Sequence, residues 1–427
     1  MNRRELLKCA GTFATAGVTT SQILQPVKAI AADVKRVRIQ NIEAFALQLP
    51  RAGGQPSPAT AATGTRADPS RLVCTRITTE AGVRGYSFLG GSTADVENAK
   101  KVMVGEDLFA VEQHLSRGLI NWSPIEESVW DAIGRTAGQP VHRLLGGARP
   151  ATLPVYVTYV WGDRQIKVTP KQQGEWGAVV KKAGFTAMKV QIMRPDFMED
   201  VEACSEIMAA AGPGFRTMAD RTASAAGLWT YAQGLAAAQA LQKAGVWWLE
   251  EPFDRNDFES PARLAREVEI LITGGEGYRG LAAYRECLMH HTYDVLQPDC
   301  NGVGGILTMR KVGVMCEAWG IPICPHGTAG LGWAGRVQAS AAMGSMIQEI
   351  SVLNPPQLPD DRVKPAMPIL NSVPFVYRGG EVVVPQGAGL GLDLNEEAIN
   401  RFRVDGPVSG RGAASGAPPA PAAGRRQ

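Results

Sequence analysis

The sequence predicts an α/β protein whose parallel strands form a β/α barrel, and two observations support this fold class. Residues with acid, base or charge chemistry recur at intervals of 23 to 31 positions. Each ends a short apolar run typical of a strand, and helix-length stretches separate the runs. In such a barrel the carboxyl ends of the strands meet at one mouth, so distant residues can share a pocket. The seven residues are Lys189, Asp220, Glu250, Glu276, Asp299, His326 and Glu349.

The strands are predicted from continuous apolar runs, which indicate a parallel sheet buried on both faces. The helices are predicted from apolar residues at spacings of three and four, as in YAQGLAAAQALQKAG, which stops at Gly245. The predicted strands span 153–160, 186–192, 215–220, 246–251, 271–276, 295–299, 321–326 and 346–350.

The chain before the barrel has a different sequence pattern, with two β-prone stretches followed by helical stretches. This pattern predicts a separate α+β domain over 36–150. Two β-prone stretches, 37–49 and 71–82, flank a Gly/Pro/Ala/Thr-rich loop at about 51–70, and helical patterns follow over 93–145. A loop of this length is either a lid or disordered. We place the barrel at 151–355, a C-terminal segment at 356–403, and a disordered Pro/Ala/Gly tail at 405–427.

Composition and the N-terminus restrict the classes of partner. The 427 residues carry a formal charge of only +3 with no basic stripe, which argues against a nucleic-acid partner. Residues 1–31 resemble an export signal, with Arg3 and Arg4 as a twin-arginine pair and Ala29-Ile30-Ala31 as a small-x-small cleavage site. The alternative is a chance pair in a disordered N-terminus. We therefore expect the twin-arginine (Tat) export machinery as a partner, a periplasmic location and no membrane span.

Cysteine usage points to packing rather than chemistry. Six cysteines lie beyond the predicted signal with no CxxC spacing, mostly inside apolar segments. We expect them to be buried small hydrophobic residues rather than disulfides or metal ligands. Cys300 is singled out because it directly follows Asp299 at the predicted mouth.

Three acidic residues predict a metal site. Asp220, Glu250 and Glu276 end three consecutive predicted strands, so their carboxylates should meet at one rim. Three close negative charges repel each other unless a cation lies among them. Oxygen-only ligands favour Mg²⁺, with Mn²⁺ as the alternative. The alternative interpretation is that the three carboxylates lie at separate, solvated strand ends and bind no metal.

The remaining residues of the series predict proton chemistry. Asp299 and His326 end neighbouring strands, where the carboxylate could hold the imidazole by one nitrogen and make it a general base. Lys189 could stabilise an anionic substrate, and Glu349 could donate a proton or hydrogen bond to a substrate oxygen. A structural histidine and a solvated lysine are the alternatives.

These residues resemble those of the mandelate racemase and muconate lactonizing branch of the enolase superfamily. The resemblance spans about 36–403 and includes ESVWDAIGRTAGQPVHRLLGG, Glu250-Glu251-Pro252, Gln297-Pro298-Asp299 with Gly304-Gly305, and Gly389-Leu390-Gly391-Leu392. It implies a modified (β/α)₇β TIM barrel under an N-terminal α+β capping domain, to which the C-terminal segment returns. It also implies Mg²⁺ on Asp220, Glu250 and Glu276 and abstraction of the proton α to a carboxylate, with the enediolate stabilised by metal and electrophilic groups.

Two departures from the family pattern bear on the reaction. The family commonly has Lys-x-Lys on the second strand, the second lysine being a base, but here Gln191 takes that place. It also commonly has Asp-x-Asn on the third strand, where Thr222 now replaces the Asn. Racemisation needs a base on each face of the enediolate. Dehydration, in contrast, can use His326 both to take the α-proton and to protonate the leaving hydroxide. We therefore predict dehydration of a hydroxylated carboxylate, an aldonic or aldaric sugar acid, to a 2-keto-3-deoxy acid.

Alternatives to this prediction stay open at this point. One is a racemase, epimerase or cycloisomerase in which Lys189 serves the second face, and another is an inactive acid-binding protein. Gln191, Arg221 and Asn301 would suit a polyhydroxylated substrate, whereas Trp161 and Trp333 would suit an apolar one. We expect a small-molecule carboxylate as the substrate and a homo-oligomer as the assembly.

Overall fold

The computed structural model describes residues 36–50, 70–118, 123–147, 151–160, 168–222, 227–353 and 355–408. The predicted export signal, almost the whole predicted lid loop, Trp161 and most of the predicted tail lie outside these ranges. Within them, no helix combines the length and the apolar character needed to cross a membrane.

The described chain begins with an antiparallel sheet. Strands β1 (Ile39–Gln48), β2 (Arg71–Thr79) and β3 (Arg84–Ser87) pair in sequence, with Phe45 opposite Cys74. The first two coincide with predicted strands, whereas the third has only four residues and too little pattern to be predicted. Four helices follow: α1 (Thr93–Met103), α2 (Val111–Ser116), α3 (Ser123–Ala137) and α4 (Val141–Leu144).

The parallel part of the second sheet contains the predicted strands of the barrel. Its strands pair in the order β10–β4–β5–β6–β7–β8–β9, and each overlaps a predicted run. Their bounds are β4 (Thr152–Val160), β5 (Ala187–Gln191), β6 (Arg216–Asp220), β7 (Trp248–Glu250), β8 (Leu271–Gly274), β9 (Val295–Leu296) and β10 (Gln348–Leu353).

The predicted strand over 321–326 completes the ring without forming a regular ladder. On one side it makes isolated parallel bridges, from Ile323 to Leu296 and from His326 to Asp299. On the other side Met346 N donates to Ile323 O at 2.8 Å, next to β10. Its two prolines lack the N–H that a continuous ladder requires, which explains why only isolated bridges form.

The barrel interior is closed at its lower end by an apolar cluster, which we call the floor. Tyr156 of β4 contacts Trp248 of β7 across the ring, with ring centroids 5.3 Å apart. Side chains two positions apart on a strand share a face, so residues above the floor also point inward. The floor consists of Tyr156, Ala187, Met218, Trp248, Val295, Cys324 and Ile347. Two positions beyond five of these come Lys189, Asp220, Glu250, His326 and Glu349.

The helices between the strands begin and end at local sequence signals. Thr169 and Thr230 each form a capping box with a glutamine three residues later. Gly245 (φ 84°) follows one helix end, as predicted. These helices are α5 (Pro170–Lys182), α6 (Phe197–Ala211), α7 (Tyr231–Lys243), α8 (Glu259–Glu267), α9 (Gly280–His290), α10 (Cys300–Val303), α11 (Ile306–Trp319) and α12 (Ala334–Met343).

The C-terminal segment contacts both sheets. It contains two 3₁₀ turns and the elements β11, β12, α13 and β13. Strand β12 pairs antiparallel with β4, and β13 pairs antiparallel with β1. The bounds are Pro359–Arg362 and Lys364–Ile369 for the turns, then β11 (Tyr377–Arg378), β12 (Glu381–Val383), α13 (Glu396–Phe402) and β13 (Arg403–Val404).

The six cysteines in the described ranges are free and buried, which confirms the packing interpretation. Burial raises the pKa of the Cys204 thiol to about 12 and that of Cys300 well above its ordinary value. Neither thiol is a nucleophile in this environment.

A buried carboxylate of helix α3 accepts hydrogen bonds from a helix of the barrel. Glu126 accepts hydrogen bonds from Ile306 N (2.8 Å) and Leu307 N (3.0 Å), at the start of α11, and from Trp130 Nε1 (2.8 Å). The N-cap residue of helix α11 is Gly305, which has no side chain to cap the helix, so Glu126 supplies the cap. Burial raises the pKa of Glu126 to about 7, against the lowering effect of these donors.

Replacing Glu126 with alanine is expected to lower the free energy of unfolding by roughly 2–4 kcal/mol, because three N–H groups, two of them fully buried, lose their acceptor. Chemical denaturation with the full chain measures this loss. The matched control is Glu112→Ala, which removes an exposed glutamate whose ion pair with Lys311 also links α2 to α11. That change is expected to cost less than about 1 kcal/mol. Equal losses in the two variants would contradict the capping role.

Candidate active site

All seven residues of the predicted series lie at the carboxyl-end mouth, above the floor. Asp220 and Glu250 end β6 and β7 and are register partners. Glu276 follows β8, and Asp299 follows β9. All but His326 are nearly inaccessible to solvent, and the His326 side chain is 25% exposed, so the imidazole is the group best placed to meet a ligand.

Lys189 is the central cation of the site. Its Nζ lies 2.6 Å from Glu250 Oε2, 3.1 Å from Glu349 Oε1 and 3.8 Å from Asp220 Oδ2. Burial alone would lower the pKa of Lys189, but these carboxylates raise it well above its ordinary value. The side chain is therefore an ammonium whose donors are already engaged.

The carboxylates around Lys189 repel one another. Burial, together with the neighbouring acids, raises the pKa of Asp220 and, more strongly, that of Glu250, although Lys189 opposes both shifts. Gln297 Nε2 also donates to Glu250 Oε2 at 2.6 Å. Glu349 accepts from Gly327 N at 2.8 Å, and although burial alone would raise its pKa, Lys189 and then His326 lower it.

His326 and Asp299 form the predicted pair. The imidazole Nδ1 lies 2.5 Å from Asp299 Oδ2, and Nε2 lies 3.1 Å from Glu276 Oε2 and 4.0 Å from Glu349 Oε2. Burial alone would lower the pKa of His326, but Glu276, Glu349 and Asp299 raise it to about 10. Asp299 thus fixes one ring nitrogen and leaves the other facing the mouth.

Glu276 belongs to a second charged group beside the mouth. Arg255 bridges Glu276 and Glu251, at 2.6 Å from Glu251 Oε2. Burial and then the charge of Glu276 raise the pKa of Glu251 to about 8. Glu251 Oε1 is buried and has no hydrogen-bond partner in the described part of the chain.

The donor set fits a hard divalent cation. Five carboxylates at the mouth, those of Asp220, Glu250, Glu251, Glu276 and Glu349, face two permanent cations, Lys189 and Arg255. If all are ionised and His326 is protonated, and the neutral Asp299–Arg336 pair is left aside, negative charge exceeds positive by two, and oxygen donors suit Mg²⁺. Among the described residues no three acidic, histidine or cysteine side chains already surround one point as ligands, because Lys189, Arg255 and His326 occupy the carboxylate oxygens.

The three predicted substrate-binding residues are placed differently from one another. Gln191 lies at the mouth, where its Nε2 donates to Thr222 Oγ1 at 3.4 Å. The Arg221 guanidinium instead donates to Ile192 O and Gly227 O at 3.1 Å and covers the ring of Trp229, a packing contact outside the carboxylate cluster. Asn301 contributes its backbone N–H to Asp299 Oδ1 at 2.6 Å.

Two further residues have structural roles at this rim. Thr222 has a positive φ of 41°, and its N and Oγ1 both lie 2.7 Å from Asp220 Oδ1, so it orients that carboxylate. Trp333 was predicted to suit an apolar substrate, but it is buried, and its indole Nε1 donates to Glu349 O at 2.9 Å. That expectation is corrected because the indole is buried against the rings of Phe375 and Tyr377.

The sequence reasoning missed four residues of the site: Glu251, Arg255, Gln297 and Arg336. Gln297 could have been found, since it stands two positions before Asp299 and therefore on the same strand face. Glu251 was visible as the second acid of a Glu-Glu pair. The two arginines act through contacts 21 and 37 positions away in sequence, at Glu276 and Asp299, which no local pattern indicates.

Comparison with known proteins gives a consistent set of relatives. The model of the family described as "Enolase C-terminal domain-like" matches residues 174–398, more than half of the chain. Arabinonate dehydratase of Saccharolobus solfataricus is 28% identical over 282 residues, covering 66% of this chain and 71% of that protein. D-galactarolactone cycloisomerase of Agrobacterium fabrum is 28% identical over 291 residues, covering 67% and 74%.

The solved structures include an enzyme with bound metal. D-glucarate dehydratase from Agrobacterium tumefaciens, complexed with magnesium, matches with a TM-score of 0.72 at 26% identity, covering 87% of this chain and 100% of that one. A fold of this similarity places the parallel barrel and its mouth in the same architecture. The relatives include both dehydratases and cycloisomerases, so membership of the family does not by itself fix the reaction.

Proposed function

Because this chain belongs to the enolase C-terminal domain-like family, we propose that it removes the proton α to the carboxylate of a hydroxylated sugar acid and eliminates water, giving a 2-keto-3-deoxy acid. The observation that carries this proposal is that the described residues at the mouth, which leave out 161–167 and 223–226, include one imidazole, and that a glutamine stands in the place of a second base. His326 faces the mouth. Three strands further around the barrel, at the end of β5, lies Gln191, which cannot accept a proton at neutral pH.

The proposed proton transfers use one residue twice. A divalent cation held by Glu276 would offset the charge that most raises the pKa of His326, which favours the neutral ring that a base requires. His326 Nε2 then takes the α-proton, and the imidazolium, held through Nδ1 by Asp299, protonates the hydroxide leaving the neighbouring carbon. One water and an enol result, and the enol tautomerises to the 2-keto acid. Lys189 is engaged by two carboxylates within 3.1 Å, which disfavours it as a base for the opposite face.

Asp220, Glu250 and Glu276 would hold a divalent cation, which when bound supplies positive charge for the substrate carboxylate. The all-oxygen donor set and the excess of buried negative charge support Mg²⁺. Gln191 offers an amide to the hydroxyl groups of a polyhydroxylated substrate. The dehydratases of arabinonate and D-glucarate among the relatives support a sugar acid as the substrate class.

A screen of the full chain with Mg²⁺ against a library of aldonic and aldaric acids tests the proposal, with semicarbazide detecting 2-keto products. Product from at least one acid is expected, together with loss of one water by mass spectrometry. If no acid gives a keto product, while the same library in D₂O gains deuterium at the α-carbon without loss of water, the dehydratase proposal is wrong and the isomerase alternative replaces it. Metal-dependent binding with neither outcome would indicate the acid-binding protein.

A further inference from the structure

We propose that Arg336 is a positioning residue for the His326 imidazole, acting through Asp299. The inference rests on the proposed function in one respect, that His326 is the base. It adds Arg336, a residue of helix α12 that is not part of the strand-end series. The comparison with relatives assigns no role to this residue. Both oxygens of the Asp299 carboxylate are held by donors.

Every oxygen of Asp299 has more than one donor. Oδ1 accepts from Asn301 N at 2.6 Å and from Gly302 N at 2.8 Å. Oδ2 lies 2.5 Å from His326 Nδ1. Arg336 Nη2 spans both oxygens, at 3.1 Å from Oδ1 and 3.0 Å from Oδ2. Two backbone donors fix one end of the carboxylate, and the guanidinium is the group that joins this fixed end to the end that holds the imidazole.

Arg336 supplies the charge that the pair needs. Burial alone would raise the pKa of Asp299, but Arg336 and then His326 hold it well below its ordinary range. A carboxylate that stays ionised and cannot rotate keeps the Nδ1 proton between itself and the ring. The ring then presents the same nitrogen, Nε2, to the mouth in both proton transfers.

Arg336 is itself held in place from two sides. Its Nη1 donates to Gly332 O at 3.2 Å, in the turn before α12, and the side chain is 3% exposed. On the other side lies Glu127 of helix α3, whose charge also favours the guanidinium. Glu127 packs so closely against α12 that a Cβ at Gly335 would lie 1.9 Å from its Oε1. The position of the base is therefore connected to a helix of the N-terminal domain.

The test compares Arg336→Met and Arg336→Lys with the unchanged full chain, all in Mg²⁺. The first readout is the low-field ¹H NMR resonance of the His326 Nδ1 proton, assigned by its absence in His326→Asn. We expect the resonance to be lost or broadened by solvent exchange in Arg336→Met and retained in Arg336→Lys. This readout needs no substrate, so it decides the inference even if the screen finds no acid that is turned over.

The second readout is steady-state kinetics with an acid from the screen. We expect kcat to fall about 10- to 100-fold in Arg336→Met, as for other supporting partners of a functional histidine, with KM little changed and partial recovery in Arg336→Lys. The control is Arg285→Met, which removes an exposed arginine paired with Glu286. If Arg336→Met retained the resonance, or retained wild-type kcat, the inference would be overturned, even if the variant unfolded at lower temperature.

Discussion

Replacing His326 with asparagine is expected to lower kcat by roughly 10³-fold, within the range usually contributed by a general base. Asparagine keeps a polar side chain next to Asp299 but cannot take up the α-proton. Incorporation of deuterium from D₂O into unreacted substrate should disappear together with turnover, since both require the same abstraction. Kinetics with an acid from the screen and ¹H NMR of the recovered substrate measure the two losses.

His291→Asn is the matched control for this substitution. His291 follows helix α9 with φ 50°, a left-handed conformation that asparagine adopts readily. Activity should therefore be unchanged. Full activity in His326→Asn would mean that another group abstracts the proton, and the assignment of the imidazole would fail.

Replacing Lys189 with methionine is expected to destabilise the fold by about 3–5 kcal/mol at pH 8, the usual cost of removing one partner from a buried ion pair. The ammonium is 1% exposed and lies within 3.8 Å of three carboxylates, which would be left facing one another. Denaturant titration with and without Mg²⁺ measures the loss. Mg²⁺ should restore part of the stability, because a ligand that binds only the folded state stabilises it.

The loss should depend on pH with a definite sign. In the wild type the pKa of Glu250 is already raised by burial and by its acidic neighbours, against Lys189, and the substitution removes that opposing cation. The folded variant then binds more protons than the unfolded chain at pH values above the unfolded pKa, so its stability falls as pH rises. The deficit should be smaller at pH 5.5 than at pH 8.

Two variants serve as controls for Lys189→Met. Adding Glu250→Gln should recover much of the loss by removing one of the unpaired charges. Lys364→Met, at an exposed lysine paired with Asp361, should change stability by no more than about 0.5 kcal/mol. Wild-type stability of Lys189→Met at pH 8 without metal would show that the cluster does not depend on its central cation.

The barrel could be predicted because its information is local. Each strand is a short apolar run, seven of the eight runs carry a residue with distinctive chemistry at their end, and the spacing between runs matches one strand and one helix. The family resemblance, found in motifs such as Glu250-Glu251-Pro252, is confirmed. The irregular stave over 321–326 could not be predicted as irregular from hydrophobicity, although its two prolines were visible.

The site could be predicted only as far as its strand ends. The sequence places Lys189, Asp220, Glu250 and His326 at one mouth, but it does not state which charges pair there. Arg336 reaches Asp299 from a helix that begins after the barrel's seventh stave, and its pairing depends on tertiary packing. Trp333 was misplaced for the same reason, since its hydrogen bond to Glu349 O is invisible before the chain is folded.

The apolar floor has a kinetic consequence. Because Tyr156, Trp248 and the other floor residues fill the lower end of the barrel, a molecule cannot pass through from one end to the other. Substrate must enter and product must leave through the same mouth. Substrate can therefore bind only after the product has left. Accumulated reaction product should therefore inhibit competitively, so progress curves should slow earlier than substrate depletion alone accounts for.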